Sequence, residues 1–78
     1  MLRVKFVEPK PDSQLLLHFT NGESRVFDMQ PYLQYPVFSP LSNERIFNLA
    51  RVEHGTVTWP GDIDIAPETL YNGSVPIP

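Results

Sequence analysis

The dipeptide Asn21-Gly22 is the feature that most constrains the fold, because it separates two segments of strand-like composition. One segment runs from Gln14 to Thr20 and the other from Glu23 to Met29. A two-residue type I′ turn requires positive φ at both central positions, and Asn and Gly tolerate that conformation best. The sequence therefore predicts a β-hairpin centred on this dipeptide.

A two-residue turn would also fix the register of this hairpin, with Leu17 opposite Val26 and Leu16 opposite Phe27. Two faces follow from that register, one carrying Leu15, Leu17, Phe19 and Val26, the other carrying Leu16, His18, Arg25 and Phe27. The first face has fewer polar members and is predicted to face the core. Leu16 and Phe27 would then need cover from the later helix or from a partner subunit.

The segments on either side of this hairpin have their own signals. Apolar and basic residues alternate from Leu2 to Phe6, which predicts a strand that breaks at Glu8 in a proline-containing turn. The segment from Gln30 to Pro40, the aromatic connector, contains three prolines that exclude a long helix or a central strand. A short helix is predicted from Pro40 to Ala50, with Ser39 or Ser42 as its N-cap.

The C-terminal half predicts a second hairpin and a second helical turn. Glu53-His54-Gly55 separates two short strand-like segments, and Gly55 takes the position of positive φ. Pro67 begins a helical turn that Asn72-Gly73 ends. From Ser74 onward, two prolines indicate a loose tail or an extended arm. The predicted fold is α+β, a small antiparallel sheet built from two β-hairpins with a short helix between them and a C-terminal helical turn. It forms a single domain over residues 1–73, with a C-terminal tail at 74–78.

Size and cysteine content limit how this domain is stabilised. A chain of 78 residues buries a modest core, and with no cysteine it has neither disulfides nor a thiolate zinc site. Small domains often gain stability by oligomerising. We predict a homodimer, formed by pairing of exposed strand edges or through the aromatic connector.

Charge argues against several classes of ligand. The net charge is −3 and the six cations are scattered, so nucleic acid is not expected as a direct ligand. No apolar run approaches the length of a membrane span, and charged residues interrupt any candidate signal peptide. The absence of cysteine fits a reducing compartment, and a cytoplasmic location is expected.

Asp62 and Asp64 are the best candidates for chemistry, since paired carboxylates bind divalent cations or divide acid and base roles. The alternative, which we favour, is a pair of solvated positions between buried Ile63 and Ile65. His18 and His54 are too far apart in sequence to indicate a metal site. No nucleophile motif or phosphate loop is present, so no catalytic residue, cofactor or metal is expected. An enzyme using Asp62, Asp64 and Glu68 ranks last.

Aromatic residues offer a candidate interaction surface. Trp59 is favoured as a core residue, although an interface anchor is the alternative. The rings of the aromatic connector either remain partly exposed for a partner or fold back as a lid over the sheet. The candidate interaction surface comprises Tyr32, Tyr35, Phe38, Trp59, Asp62 and Asp64.

Several segments together resemble a known family. They are Asn21-Gly22-Glu23, Val26-Phe27-Asp28, Phe47, Thr58 to Ile65, and Glu68 to Tyr71. In this order and spacing they resemble the small bacterial family catalogued as domain of unknown function 2442, over roughly Val4 to Tyr71. The resemblance implies a compact α+β domain without established catalytic residues, and a suggested toxin–antitoxin context. Some longer members carry an additional helix-turn-helix domain.

Two functional hypotheses follow. The leading one is a non-catalytic protein-interaction module, in its most concrete form the antitoxin-like partner of a small bacterial two-gene system, which binds one small protein. The alternative is a nucleic-acid-associated transcriptional regulator that lacks the helix-turn-helix extension of longer relatives. It would gather Arg3, Lys5, Arg25 and Arg51 on one sheet face.

Overall fold

The computed structural model describes residues 1–77, which form seven strands, two α-helices and two 3₁₀ helices. The strands are β1 (Val4–Lys10), β2 (Gln14–Phe19), β3 (Ser24–Asp28), β4 (Arg51–Glu53), β5 (Thr56–Trp59), β6 (Ile63–Ile65) and β7 (Val75–Pro76). The α-helices are α1 (Glu44–Phe47) and α2 (Pro67–Gly73), and the 3₁₀ helices are Gln30–Tyr32 and Pro36–Ser42. The α+β class is confirmed. The two predicted hairpins lie in separate antiparallel sheets, β1-β2-β3-β7 and β4-β5-β6.

The first hairpin turns at Asn21-Gly22, but its predicted register is wrong by one residue. Of the two turn residues only Gly22 has a positive φ, +89°, and its amide donates to the Phe19 carbonyl at 3.0 Å. This is the three-residue loop with a glycine bulge. The Asn21 side chain accepts from the Glu23 amide at 3.0 Å, so that amide is not directed across the hairpin as a two-residue turn requires.

The shift exchanges the faces of the residues in β3, including Arg25, which lies opposite Leu17 on the core side and not on the outer face as predicted. Leu15 pairs with Phe27, and Leu16 pairs with Val26. Phe27 therefore lies on the buried face with Leu15, while Val26 is half-buried on the opposite face. Phe27 needs no cover from a partner subunit, contrary to the prediction.

Strand β1 is longer than predicted. It continues through Pro9 to Lys10, and the turn to β2 is made by Asp12 and Ser13, whose φ angles are 64° and 60°. Pro9 is compatible with a strand here because β1 is at the edge of its sheet and does not need every amide.

The predicted helix from Pro40 to Ala50 is replaced by two shorter elements, the second 3₁₀ helix and α1. The N-cap of α1 is Asn43, whose side chain accepts from the Arg45 amide at 2.9 Å; neither predicted serine has this role. Pro40 lies inside the 3₁₀ helix, and the extended backbone of Asn43, with φ −80° and ψ 115°, separates that helix from α1.

The C-terminal elements largely follow the sequence signals. His54 and Gly55 both have positive φ, 53° and 78°, and they join β4 to β5 as the two-residue turn of the second hairpin. Helix α2 begins at Pro67 as predicted. Of the two alternatives for residues from Ser74 onward, the structure shows the extended one, since β7 pairs with β3. Pro78, part of the predicted tail, lies outside the described residues.

One hydrophobic core joins the two sheets and the helices. Its buried members are Val4, Leu15, Leu17, Phe19, Phe27, Met29, Leu41, Phe47, Val57, Trp59, Ile63, Ile65 and Leu70. Trp59 is 2% exposed, and its Nε1 donates to the Phe47 carbonyl at 3.0 Å. The core placement favoured for Trp59 is confirmed, and its inclusion in the interaction surface is corrected. None of the helices in residues 1–77 has the length and apolar content needed to cross a membrane.

Candidate interaction surfaces

The aromatic connector is part lid and part exposed surface. The Tyr32 ring packs against Phe27 of β3 with centroids 5.2 Å apart, and Phe38 packs edge-on against Tyr32 at 6.3 Å. Tyr32 and Phe38 are half-buried against the core, whereas Tyr35 is exposed. Val37 beside them is 60% exposed. Both alternatives for the connector therefore apply, each to different side chains.

The carboxylate pair lies on the other sheet. Asp62 occupies the turn before β6 with a φ of 61°, and Asp64 lies opposite Thr58 of β5. Both are exposed, and Ile63 between them is buried. The structure does not bring these carboxylates together with the aromatic connector, which packs on β3. Residues 1–77 contain no group of three or more His, Asp or Glu placed to hold a metal ion.

The outer face of the four-stranded sheet is a surface that the sequence reasoning missed. We call it the open sheet face; its apolar members are Phe6, Leu16, Val26, Val75 and Ile77, and the register places Glu8, Lys10, Gln14, His18, Ser24 and Asp28 on the same face. Phe6 is opposite His18, and Leu16, Val26 and Val75 form a row across three strands. Phe6 is 60% exposed and Val75 is 67% exposed. The signal was hidden because the predicted register directed Val26 to the core and the predicted tail excluded β7.

A cleft of about 630 Å³ separates the β1–β2 turn from the second 3₁₀ helix and α1. Its apolar lining includes Pro9, Pro11 and the almost fully buried Leu41 and Phe47. Its charged lining consists of Asp12, Glu44 and Lys10, and Lys10 is paired with Glu8. We call this the acidic cleft. Its volume falls in the range of ordinary ligand sites, roughly 300–1,000 Å³. It joins residues more than 30 positions apart, so no local pattern in the sequence could have shown it.

The acidic cleft has a defined backbone frame. Gln30 donates from its side chain to the Asp12 carbonyl at 3.1 Å, and its amide donates to the Asp28 carboxylate at 3.0 Å. The Met29 amide donates to the Ser13 carbonyl at 2.9 Å. These bonds fix the turn and place Asp28 next to it. None of the salt bridges formed within residues 1–77 involves Asp12, Asp28 or Glu44.

A polar network holds helix α2 and β7 against the first hairpin. Arg25 donates to the Ser74 hydroxyl at 2.7 Å and to the Ser74 carbonyl at 2.9 Å, and its guanidinium stacks on Tyr71 at 4.3 Å. Arg25 also pairs with Glu23 at 2.8 Å, and Glu23 accepts hydrogen bonds from Tyr71 and Asn21. Ser74 is 7% exposed. The network satisfies these polar groups and gives them a structural role.

The network shifts two pKa values in opposite directions. The hydrogen bond from Tyr71 holds the pKa of Glu23 below its ordinary value of 4.5, and hydrogen bonds from Arg25 and Asn21 act in the same direction. Because the Glu23 carboxylate accepts the hydrogen bond of the Tyr71 hydroxyl, it raises the pKa of Tyr71 above its ordinary value of 10.0. Both shifts favour the charged Glu23 with the neutral Tyr71.

These directions predict how stability changes with pH. Because the folded-state pKa of Glu23 is depressed, its contribution is present above pH 4.5 and is lost as the pH falls through the folded-state value. The contribution of Tyr71 is complete below pH 10.0 and is lost as the pH rises through its raised folded-state value. Glu23→Gln should therefore flatten the dependence of Tm on pH at both ends, measured by circular dichroism.

Glu53→Gln is the matched control for this measurement. It also removes a carboxylate from an ion pair, that with Arg51 at 3.6 Å, but the pair is exposed and belongs to the other sheet. The profile of the Glu53 variant should follow that of the wild type. If Glu23→Gln and Glu53→Gln give the same profile, the network does not control the pH dependence.

Comparison with known proteins gives one match. A family model described as protein of unknown function (DUF2442) matches residues 4–76, nearly the whole chain. The resemblance inferred from the sequence is thereby confirmed. Neither the curated proteins nor the solved structures include a significant match.

Proposed function

Because the chain belongs to the DUF2442 family of proteins of unknown function, we propose a function from its surface: a non-catalytic module that binds a basic segment of a small protein partner in the acidic cleft. The observation that carries the proposal is a cleft whose apolar lining includes Pro9 and Pro11 and whose two carboxylates, Asp12 and Glu44, form no salt bridge within residues 1–77, while its cation Lys10 is paired with Glu8. Lys and Arg side chains match such a site, since their stems pack on apolar surface while their charged ends reach carboxylates.

The distribution of charge supports this choice of partner. Three carboxylates, those of Glu8, Glu23 and Glu53, are neutralised by salt bridges with Lys10, Arg25 and Arg51. The negative charge of the chain therefore resides mainly in exposed carboxylates outside these pairs, namely Asp12, Asp28, Glu44, Asp62, Asp64 and Glu68. Asp12 and Glu44 line the cleft, whereas Asp28 lies opposite Gln14 on the outer face of the first sheet. Such complementarity speeds association and rejects acidic partners.

In its most specific form, the proposal is that the protein is antitoxin-like. An acidic cleft that engages a basic segment would mask a surface with which a small toxic protein contacts RNA or DNA. This form rests on the charge of the cleft and on the family's lack of assigned chemistry. It places the partner's recognition at the cleft and requires no catalytic residue in this chain.

The nucleic-acid alternative has less support. The four cations that it requires do not share one face: Arg25 packs on Tyr71 and pairs with Glu23, while Arg51 pairs with Glu53 on the other sheet. Arg3 donates to the His54 carbonyl at 3.0 Å. We therefore put forward no second function.

The test is capture of the partner by two variants with the same change in charge. The double variant Asp12→Asn/Glu44→Gln neutralises the cleft, and Asp62→Asn/Asp64→Asn neutralises the carboxylate pair on the second sheet. Asn is suitable at Asp12 because it also tolerates the observed φ of 64°. Tagged wild type and both variants are incubated with native-host lysate, in parallel with and without nuclease treatment, and bound proteins are identified and quantified by mass spectrometry.

We expect wild type and the Asp62/Asp64 variant to retain one stoichiometric basic protein, and the cleft variant to retain at least about tenfold less, the effect of losing about 1.4 kcal/mol of binding free energy. Loss in the Asp62/Asp64 variant alone would move the site to the second sheet. Equal loss in both variants would show that binding depends on the overall charge of the chain and not on the cleft. Capture that depends on nucleic acid would overturn the proposal.

A further inference from the structure

We infer that the open sheet face binds a second copy of this chain, so that two four-stranded sheets stack face to face in a homodimer. This surface is separate from the acidic cleft, and the inference does not depend on the proposed function. Sheets that stack in this way lie about 10 Å apart and interdigitate their side chains.

The apolar character of the face is the first argument. In a sheet with one buried side, the outward residues are ordinarily polar. Here the outward row across three strands is Leu16, Val26 and Val75, and Phe6 stands beside it with its ring edge-on to His18 at 6.2 Å. Phe6 and Val75 are both more than half exposed. The face thus leaves apolar area in water that a second sheet would bury.

Charge selects a second copy as the occupant. The chain as a whole has a net charge of −3, which would oppose self-association at an acidic surface. On this face Glu8 and Lys10 neutralise each other at 2.9 Å, and the remaining carboxylate, Asp28 opposite Gln14, is matched in formal charge by Lys5. Lys5 lies at the edge of the face, with its ammonium 5.7 Å from the Phe6 ring centroid. A basic partner would meet this cation, whereas an identical neutral apolar surface would meet no row of like charges.

The edges of the sheet are poor alternatives for self-association. Strand β7 has two residues, one of them Pro76, and β1 contains Pro9. The Val4 amide of β1 already donates to the Gly55 carbonyl at 2.8 Å. Short edges and prolines are the usual devices that prevent pairing between sheets. The open sheet face is therefore a better contact surface for a second copy than the strand edges predicted from the sequence.

The size of the face sets the strength of the dimer. The four strands have 7, 6, 5 and 2 residues. At about 3.4 Å per residue and about 4.8 Å between strands, they give a projected area on the order of 300 Å² on each copy. An interface of this size lies below the roughly 1,200 Å² of total buried area typical of stable complexes. The dimer should be reversible and should form in the micromolar range.

The experiment is sedimentation equilibrium of the purified full chain from about 5 to about 500 µM, a range that spans weak association. Wild type should change from the monomer mass of 8.9 kDa to twice that value. Val75→Lys places a charge on the face, and Val37→Lys places the same charge on the aromatic connector at a site of similar exposure. We expect Val75→Lys to raise the dissociation constant at least about tenfold and Val37→Lys to leave it unchanged.

Both substituted sites are largely exposed, so both variants should keep the wild-type circular dichroism spectrum, and Phe6→Ser provides a second variant on the face. A monomeric mass at every concentration overturns the inference. So does a dimer that Val37→Lys disrupts and Val75→Lys does not, which would assign the contact to the connector. If Val75→Lys instead loses the partner captured from the host, the face belongs to that partner. Retained capture with weakened dimerisation separates this inference from the proposed function.

Discussion

Trp59→Ala is expected to lower the free energy of unfolding by about 3–5 kcal/mol, the usual cost of truncating a buried large aromatic side chain. Trp59 is 2% exposed and packs on Phe47 at a centroid distance of 6.1 Å. Its removal leaves a cavity and also a Phe47 carbonyl without its donor. Small domains have total stabilities of about 5–15 kcal/mol, so this variant should be largely unfolded in mild denaturant.

Urea unfolding followed by circular dichroism is the appropriate measurement, because Trp59 is the single tryptophan and its fluorescence is lost in the variant. Trp59→Phe is the control: it keeps an aromatic ring in the core but loses the hydrogen bond to Phe47, and should cost about 1–2 kcal/mol. A loss below about 1 kcal/mol for Trp59→Ala would be typical of a surface residue and would return Trp59 to the interface role considered from the sequence.

Phe27→Ala should lower the free energy of unfolding by about 3–5 kcal/mol, and Val26→Ala by less than about 1 kcal/mol. The difference follows from the one-residue shift of the hairpin, which buries Phe27 opposite Leu15 and leaves Val26 half-buried on the open sheet face. The register predicted from the sequence requires the opposite order, with Val26 in the core and Phe27 outside it.

Urea unfolding of the two variants therefore distinguishes the registers. Leu16→Ala, opposite Val26, is the matched control in β2 and should also have a small effect, whereas Leu15→Ala should behave as Phe27→Ala does. All four variants should be measured at low protein concentration, so that association through the open sheet face does not add to the free energy of unfolding. A larger loss for Val26→Ala than for Phe27→Ala would contradict the structure.

Local signals were enough to predict the fold class, the turns of both hairpins and the start of helix α2. Asn21-Gly22, Gly55 and Pro67 each act through the backbone conformation that their own residue type favours, and the structure turns or begins a helix at each. The register was predicted wrongly because it depends on which of two turn types forms at Asn21. The hydrogen bond that the Glu23 amide donates to the Asn21 side chain favours the three-residue loop.

The candidate surfaces were less predictable because they are assembled by tertiary contacts. Asp12 and Glu44 line one cleft between the β1–β2 turn and the helical segments, an arrangement that no spacing in the sequence encodes. The open sheet face requires β7 to return to β3 from nearly 50 residues away. The residues Asn21, Glu23 and Tyr71 helped to identify the family, but only the structure shows that they share one hydrogen-bonded network.

The return of β7 to β3 also orders the events of synthesis and folding. The first hairpin pairs residues close in sequence and can form early, because short loops close at little entropic cost. The fourth strand of this sheet, β7, cannot pair with β3 until Val75 and Pro76 have left the ribosome and Ser74 has reached Arg25. Until then the outer edge of β3 is unpaired, and unpaired edges are where nascent chains aggregate. The hydrogen bonds from Arg25 to Ser74 therefore help to keep β7 on this edge and so protect β3 from pairing with another chain.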